Sequence, residues 1–292
     1  MKFTPRAAIA ALITATAALL ATQLPAQASP VPPTPNPVLF GTWTNINPLT
    51  NSIKAIVIRA GKTGIAIEGF GACVPSACEW GIIPGTVFGP NVSSPTGATF
   101  EANQDFGFSR EVLLGTAARS PFTGFRTLTV REFTTFTDNS GRANYEVTET
   151  FVPGNLIIPA KTGVPTIGYP LGDWVKPAST LLGTWFSTSP TAGIRKIIIT
   201  ENLNGTLAVR AFGNCTPTLC AWGKVTAVTF GTSILSTTGQ TFLAPYSFGF
   251  ANKLLDGTVN FFGTRLVVHT YTEFLDHSGR SNYLLTDTFT RG

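Results

Sequence analysis

Residues 71–81 read Gly-Ala-Cys-Val-Pro-Ser-Ala-Cys-Glu-Trp-Gly, and residues 213–223 read Gly-Asn-Cys-Thr-Pro-Thr-Leu-Cys-Ala-Trp-Gly. The two stretches lie 142 residues apart and contain all four cysteines of the 292-residue chain. The same separation relates Gly41-Thr42-Trp43 to Gly183-Thr184-Trp185. Self-similarity at a fixed separation indicates a tandem duplication. One fold, used twice, is therefore expected.

The segments outside the two copies have their own composition. Residues 1–28 combine a basic start, an apolar Ala/Leu run and the small residues Ala26-Gln27-Ala28, which is typical of a secretory signal. Residues 29–37 are dense in proline and cannot enter the interior of a sheet, which predicts an extended spacer before the first copy. The copies are predicted at 38–153 and 181–292, with a proline-containing linker at 154–180 between them. We expect a secreted protein without a membrane span, extracellular or, in a Gram-negative source, periplasmic.

Each copy contains eight short runs rich in β-branched and aromatic residues, bounded by Gly, Pro, Asn or Ser, and no convincing helix. In the first copy the runs are 39–45, 53–59, 64–71, 80–88, 98–106, 108–116, 125–136 and 143–152. Short connections favour antiparallel pairing of neighbours. The sequence therefore predicts an all-β protein of two eight-stranded up-and-down barrels, since closure removes exposed sheet edges. A pair of β-sandwiches is the alternative.

The charge pattern excludes one class of partner. The formal net charge is +5, and removing Lys2 and Arg6 of the signal leaves +3. The remaining charges are scattered, without a basic stripe interleaved with aromatic residues, so we expect no nucleic-acid partner. No sequence motif for a cofactor is present.

The cysteines predict two local disulfides. Cys73 and Cys78, like Cys215 and Cys220, end one strand and begin the next, and a bond between them would close a short loop around Pro75 or Pro217. A metal site is disfavoured because no histidine lies in either loop, and a redox site is disfavoured because the spacing is not Cys-x-x-Cys.

Aromatic residues flank these cysteines. Strict alternation places Phe70 with Glu68, Phe212 with Arg210, and Trp222 with Lys224, so Phe70, Phe212, Trp80 and Trp222 are predicted on the outer face of their barrels. Such a surface could stack on a glycan or dock a protein. Alternatively, the rings cover the disulfide or an interface between domains.

Two acids interrupt the apolar face of the last strand. Glu149 lies between Val147 and Phe151, and Asp287 lies between Leu285 and Phe289, so both are predicted to point into the barrels. A buried carboxylate requires a partner or a proton. It is either a structural hydrogen-bond acceptor or the polar anchor of a ligand, and the predicted lining from strand seven then includes Glu132, Thr134, Thr270 and Thr272.

The Gly-Thr-Trp that opens each copy, and Asp287-Thr288-Phe289-Thr290-Arg291 at the end, resemble the first and last strands of avidin and the Gly-x-Trp start of lipocalins. The resemblance implies a calycin-type barrel that binds small molecules at its open end, although no biotin-contacting residue carries over. In lipocalins an arginine packs on the opening tryptophan, and Val152-Pro153 replaces Thr290-Arg291 in the first copy. The Gly-x-Cys-x-Pro-x-x-Cys-x-Trp-Gly unit also resembles a repeat of secreted bacterial proteins without an assigned activity.

No set of catalytic residues is evident from the sequence. The only histidines, His269 and His277, lie in the second copy, and no Gly-x-Ser-x-Gly motif occurs. We therefore expect a secreted, non-catalytic binding protein that takes a small molecule in a barrel, or a glycan or protein on its outer face. A secreted protease inhibitor, acting through the Pro75 or Pro217 loop, and a structural surface-matrix module are the alternatives.

Overall fold

The structure, a computed structural model, describes residues 33–73, 77–155 and 175–292 as two closed antiparallel barrels of eight strands. Barrel 1 contains β2 (Gly41–Asn45), β3 (Ile53–Ala60), β4 (Ile65–Gly71), β5 (Cys78–Phe88), β7 (Thr99–Asp105), β8 (Ser109–Arg119), β9 (Arg126–Phe136) and β10 (Tyr145–Pro153). Barrel 2 contains β12 (Gly183–Ser187), β13 (Ile194–Glu201), β14 (Leu207–Gly213), β15 (Cys220–Phe230), β17 (Thr241–Phe248), β18 (Ala251–Val259), β19 (Arg265–Phe274) and β20 (Tyr283–Arg291). The predicted all-β class and barrel closure are confirmed, and the sandwich alternative is wrong. Within the described ranges, no helix has the length and apolar character needed to cross a membrane.

The repeat begins earlier than the sequence predicted. β1 (Thr34–Pro35) pairs in parallel with β6 (Thr96–Gly97), and β11 (Lys176–Pro177) pairs in the same way with β16 (Thr238–Gly239). This short pairing of Thr34–Pro35 lies outside the barrel sheets and is possible because the residues between the prolines keep their N–H groups. Thr34 donates to Pro95 at 2.9 Å and Asn36 donates to Gly97 at 2.8 Å.

The predicted signal, residues 1–28, lies outside the described residues. So do residues 29–32 of the spacer and residues 156–174 of the predicted linker.

One end of each barrel is closed around its opening tryptophan. Trp43 and Trp185 are fully buried, and their indole N–H groups donate to Leu39 and Leu181 at 2.8 and 2.9 Å. In barrel 2 the guanidinium of Arg291 lies 4.9 Å from the ring centre of Trp185 and donates to the carbonyl of Leu182. The final strand of barrel 1 lacks this arginine.

Barrel 1 supplies the missing cation from another strand. Arg126, at the start of β9, lies 5.2 Å from the ring centre of Trp43 and donates to the carbonyl of Phe40, the counterpart of Leu182. The two barrels thus make the same closure with arginines that are not at equivalent positions.

The barrels pack against each other through an approximately symmetric interface. Phe88 meets Tyr271 at 5.3 Å between ring centres, and its counterpart Phe230 meets Phe133 at 5.1 Å. These four rings belong to one buried apolar cluster together with Leu114 and Leu243. Burial of aromatic surface of this kind stabilises the contact between barrels.

Backbone hydrogen bonds extend this symmetry to the loops. Gly89 forms a β-bridge with Tyr283 at the start of β20, and Gly231 forms one with Tyr145 at the start of β10. Ala143 donates to Ile234 at 3.2 Å, and its counterpart Ser281 donates to Val92 at 2.9 Å. Each barrel therefore places one loop beside the open end of the other.

One ion-pair network departs from the symmetry. Arg131 of barrel 1 pairs with Glu146 at 3.0 Å and with Asp256 of barrel 2. Asp256 is fully buried, and burial raises its pKa to about 6, an effect that Arg131 opposes. The counterparts of Arg131, Glu146 and Asp256 are His269, Leu284 and Leu114, so the network exists on one side of the interface.

Candidate functional site

The disulfides Cys73–Cys78 and Cys215–Cys220 form as predicted, each with Cα atoms 5.5 Å apart. They lie at the ends of the barrels opposite Trp43 and Trp185. Beside them, Glu68 and Phe70 of β4 face Ile82 and Glu79 of β5, so β5 carries an extra residue at this point. Gly81 occupies that bulge with φ of +87°, a conformation that glycine adopts without strain.

The prediction that the tryptophans lie on the outer face is wrong, and this bulge is the reason. Trp80 packs on the core cluster of barrel 1, and Trp222 packs on that of barrel 2, so both rings point inward rather than outward. A Cβ at Gly71 would overlap the indole of Trp80, which explains the glycine before the first cysteine. The extra residue shifts the alternation by one and turns the tryptophan to the opposite face.

The predicted partners of the tryptophans stay outside the barrels. Phe70 packs with Ala55 and Val57 in a small cluster separate from the core. Phe212 lies beneath Lys196, whose Nζ is 4.0 Å from the ring centre, and Arg210 at 5.2 Å. Phe70 is buried and Phe212 is half-buried, so these residues do not join the tryptophans in one aromatic platform.

The open end of barrel 1 holds a cavity of about 360 Å³. Its polar lining comes from β8 and β9 and from the turn before β3. Its apolar lining is a ring of aromatic residues, with Ile234 contributed by barrel 2. The residues that line the cavity include Ser109, Glu111, Glu132, Thr134, Trp80, Phe106, Phe108, Phe136, Tyr145 and Arg142.

Two buried glutamates face this cavity. Glu111 is 8% exposed and Glu132 is 2% exposed. Glu132 accepts a hydrogen bond from the hydroxyl of Ser52, whereas Oε2 of Glu111 has no hydrogen-bond partner. The hydroxyls of Ser109 and Thr134 are also buried without a partner. Such unsatisfied groups are unfavourable in a protein interior and are uncommon outside functional sites.

The acids perturb each other's protonation. Burial and then the neighbouring Glu132 raise the pKa of Glu111 to about 9. Burial raises the pKa of Glu132 to about 7, Ser52 opposes this shift, and the charge of Glu149 adds to it. Both carboxyl groups therefore keep their protons to a higher pH than a solvated glutamate does, and they titrate as a pair.

Glu149 points inward as predicted and acts as a structural acceptor. It is 9% exposed, accepts from the hydroxyl of Thr50, and accepts from the backbone N–H of Ile53 at 3.2 Å. Its two oxygens are thus occupied by the turn that leads into β3. Glu149 does not line the cavity that contains Glu132.

Asp287 makes the corresponding contact in barrel 2. It accepts a hydrogen bond from the backbone N–H of Ile194, the counterpart of Ile53, and half-burial raises its pKa. The structural interpretation of the two acids therefore agrees with their contacts. Glu149 borders a separate pocket beside Thr50 and Thr148, and the role of the two acids as ligand anchors stays a prediction.

The open end of barrel 2 has the same aromatic ring and a different charge. Lys253 is the counterpart of Glu111, and its ammonium donates to Thr272 at 2.8 Å. The Nζ atom lies 5.3 Å from the ring centre of Trp222 and 5.6 Å from that of Tyr283. Thr270 replaces Glu132 and is buried without a hydrogen-bond partner for its hydroxyl.

A tyrosine further occupies the interior of barrel 2. The hydroxyl of Tyr246 donates to Val209 at 2.9 Å and accepts from Ala211 at 3.0 Å, so its ring spans from β17 to β14. Burial raises its pKa to about 12. Barrel 1 has Gln104 at this position, paired in register with Glu111.

Of the predicted site residues, Glu132, Thr134 and Trp80 come together in one cavity, and Thr270, Thr272 and Trp222 lie at the equivalent places in barrel 2. The sequence analysis missed Glu111 and Ser109. Both share the inner face of β8 with Leu113. Val112 and Leu114 on the opposite face are apolar as well, because they contact barrel 2. With apolar residues on both faces, the strand loses the alternation that would have revealed an inward acid.

No protein-family model matches this chain, and a comparison with curated proteins finds no match. The calycin-like resemblance is therefore supported only at the level of closed, eight-stranded barrels in tandem. The two disulfides fit a protein that lies outside the cytoplasm.

Proposed function

We propose that the chain is a secreted, non-catalytic binding protein that holds a small molecule in the open end of barrel 1. The observation that carries the proposal is the cavity of about 360 Å³, in which buried polar atoms without partners face a ring of aromatic side chains. Apolar pockets with a few convergent polar groups are the usual form of a small-molecule site. A ligand would supply the missing hydrogen bonds to Glu111, Ser109 and Thr134.

The comparison between barrels supports the same proposal. Tyr246 and Lys253 place a ring and an ammonium at the open end of barrel 2, where barrel 1 has Gln104 and Glu111. The two barrels share their scaffold, so this difference concerns the site alone. Barrel 1 is the binding barrel, and barrel 2 contributes Ile234 to its rim.

The test is a screen of neutral, cationic and anionic aromatic fragments against the full chain, with binding mapped by NMR. We expect hits to perturb Ser109, Glu111 and Thr134. The variant Gln104→Tyr introduces the ring that barrel 2 uses, and it should abolish these hits while keeping the wild-type circular dichroism. The reciprocal variant Tyr246→Gln serves as the matched control and should leave barrel 1 binding unchanged.

Two results would contradict the proposal. Hits that cluster at Phe70 or Phe212, or that survive in Gln104→Tyr, would place binding elsewhere.

Two buried carboxyl groups with raised pKa values are also what general acid–base catalysis requires. Hydrolysis of an aryl-glycoside panel by the wild type, lost in Glu111→Gln, would show an enzyme instead. Of the two loops on which protease inhibition would depend, residues 74–76 lie outside the described residues.

A further inference from the structure

The charge of the barrel 1 cavity is the first indication of what it binds. Glu111 and Glu132 are both more than nine-tenths buried in its wall, and Glu79 lies at its rim. The one cation in the lining, Arg142, pairs with Asp138 at 2.6 Å and stacks over Phe136 at 3.9 Å. Since Arg142 is neutralised by its own turn, the cavity retains an excess of acid.

The aromatic wall is the second indication. Trp80 and Phe106 meet edge to face at 5.4 Å, Phe106 stacks with Phe108 at 6.1 Å, and Phe136 lies 6.1 Å from Tyr145. Ring faces carry negative electrostatic potential and attract cations, most strongly where water is excluded. An anionic ligand would be repelled by the ring faces and would oppose ionisation of the two acids, whereas a cation would favour their ionised forms.

Barrel 2 shows what this ring of residues accommodates. There, the ammonium of Lys253 lies between Trp222 and Tyr283, the counterparts of Trp80 and Tyr145. Barrel 1 keeps both rings and has Glu111 where the lysine would begin. The cation that barrel 2 carries on its own chain must come to barrel 1 from outside.

A metal ion fits this site poorly. In the part of the chain that the structure describes, no three His, Cys, Asp or Glu side chains are grouped so that they could hold one.

Resting on the proposed function of the same cavity, we propose that the ligand of barrel 1 is an organic cation, an ammonium group with an apolar body. The ammonium lies against Glu111 and Glu132, and its substituents contact Trp80, Phe106 and Tyr145. Binding supplies a partner for Oε2 of Glu111 and replaces the charge that Lys253 provides in barrel 2.

The experiment compares choline with 3,3-dimethylbutan-1-ol, which has the same shape without the charge, by NMR titration of the full chain. We expect choline to bind at least tenfold more tightly than the alcohol. Glu111→Gln should weaken choline binding about tenfold or more, and Glu111→Lys, which installs the residue of barrel 2, should abolish it. Lys253→Met is the matched control in barrel 2 and should leave choline binding unchanged.

The outcomes separate this inference from the proposed function. Equal binding of choline and the alcohol, lost in Gln104→Tyr, would keep the cavity as the site and overturn the organic cation. A preference for benzoate over benzyltrimethylammonium would overturn it as well. If choline fails to bind while neutral fragments perturb Ser109 and Thr134, the cation is again excluded. If no probe of any charge perturbs these residues, both proposals fail.

Discussion

The two open ends of this molecule differ in charge although they share a frame. Each has an inward tryptophan directly before a bulged glycine, an arginine stacked 3.9 Å over Phe136 or Phe274, and a tyrosine from the last strand. Within this frame barrel 1 has Glu111 and Glu132, whereas barrel 2 has Lys253 and Thr270. In barrel 2 the ammonium of Lys253 lies against the rings of Trp222 and Tyr283. The two copies thus share the aromatic shell and differ in the charged residues that it surrounds.

The interface ties the two ends together. Loops that carry Val92 and Ile234 lie at the open end of the opposite barrel, so the barrel 1 cavity includes a residue of barrel 2. A single barrel would lack part of its rim.

The largest effect is expected at the asymmetric side of the interface. Asp256→Leu installs the residue that barrel 1 has at this position, Leu114, and leaves Arg131 without its buried partner. We expect a loss of about 3 kcal/mol in the free energy of unfolding, because Arg131 then keeps only Glu146 of its two acidic partners and breaking a buried ion pair is costly. Denaturant titration measures it.

A double variant is the control for this prediction. Arg131→His combined with Asp256→Leu gives this side two of the three residues of its symmetric counterpart, and it should be more stable than Asp256→Leu alone. A single variant within about 0.5 kcal/mol of the wild type would show that the ion pair is not important to the contact between barrels.

A smaller effect is expected in the pH dependence of stability, which should differ in sign between the two open ends. The pKa of Glu111 is raised from 4.5 to about 9, so between these values the unfolded state loses its proton first. Stability should therefore decline as pH rises through this window, and Glu111→Gln should remove that decline. At pH 9 we expect the free energy of unfolding of the variant to exceed that of the wild type by about 2 kcal/mol. This is well below the value that the whole pKa shift would give at about 1.4 kcal/mol per pKa unit, because water enters the open cavity.

The prediction for Glu111 requires comparison of unfolding curves at several pH values. The other titratable or charged groups of the cavity are Glu79, Glu132, Arg142 and Tyr145, with Glu149 behind Glu132. The contributions of groups that do not interact with Glu111 cancel in the difference between wild type and variant, whereas that of Glu132 remains in part because it is coupled to Glu111. A difference curve that is flat from pH 5 to pH 9 would mean that Glu111 is solvated and that the site is not a closed acidic cavity.

The smallest effect has the opposite sign and belongs to barrel 2. Burial, followed by the charge of Arg280, lowers the pKa of Lys253 from 10.5 to about 8. The unfolded state holds its proton up to the higher value, so stability should rise between pH 8 and pH 10.5 by about 1 kcal/mol. In Lys253→Met this rise should be absent. NMR titration of the Nζ resonance in the wild type gives the pKa directly, and an ordinary value would contradict the description of this ring of residues.

Several elements of the molecule were predictable because they depend on local patterns. Each of the eight runs in a copy corresponds to a barrel strand, since alternation of apolar residues and glycine or proline breaks act within a few residues. The disulfides followed from a separation of five residues. The inward direction of Glu149 followed from its place between Val147 and Phe151 on one regular strand.

Other elements escaped prediction because they depend on residues far apart in the chain. Trp80 turned inward because one extra residue in β5 shifts the alternation, which the sequence of β5 does not show by itself. Glu111 went unnoticed because barrel 2 covers the opposite face of its strand. The role of Arg126 at Trp43 was hidden because the cation comes from a different strand than Arg291 does in the other copy.

By itself the sequence determined the duplication, the eight strands of each copy and the two disulfides, because these are set by repeats and by neighbours along the chain. Only the tertiary structure decided which acids meet in one cavity, which barrel is open, and which loop of one barrel borders the other. Closure of a barrel brings β3, β5, β8 and β9 to one rim, and the pKa of a carboxyl group there depends on burial and on charges from other strands. Such through-space effects have no signature within any single strand.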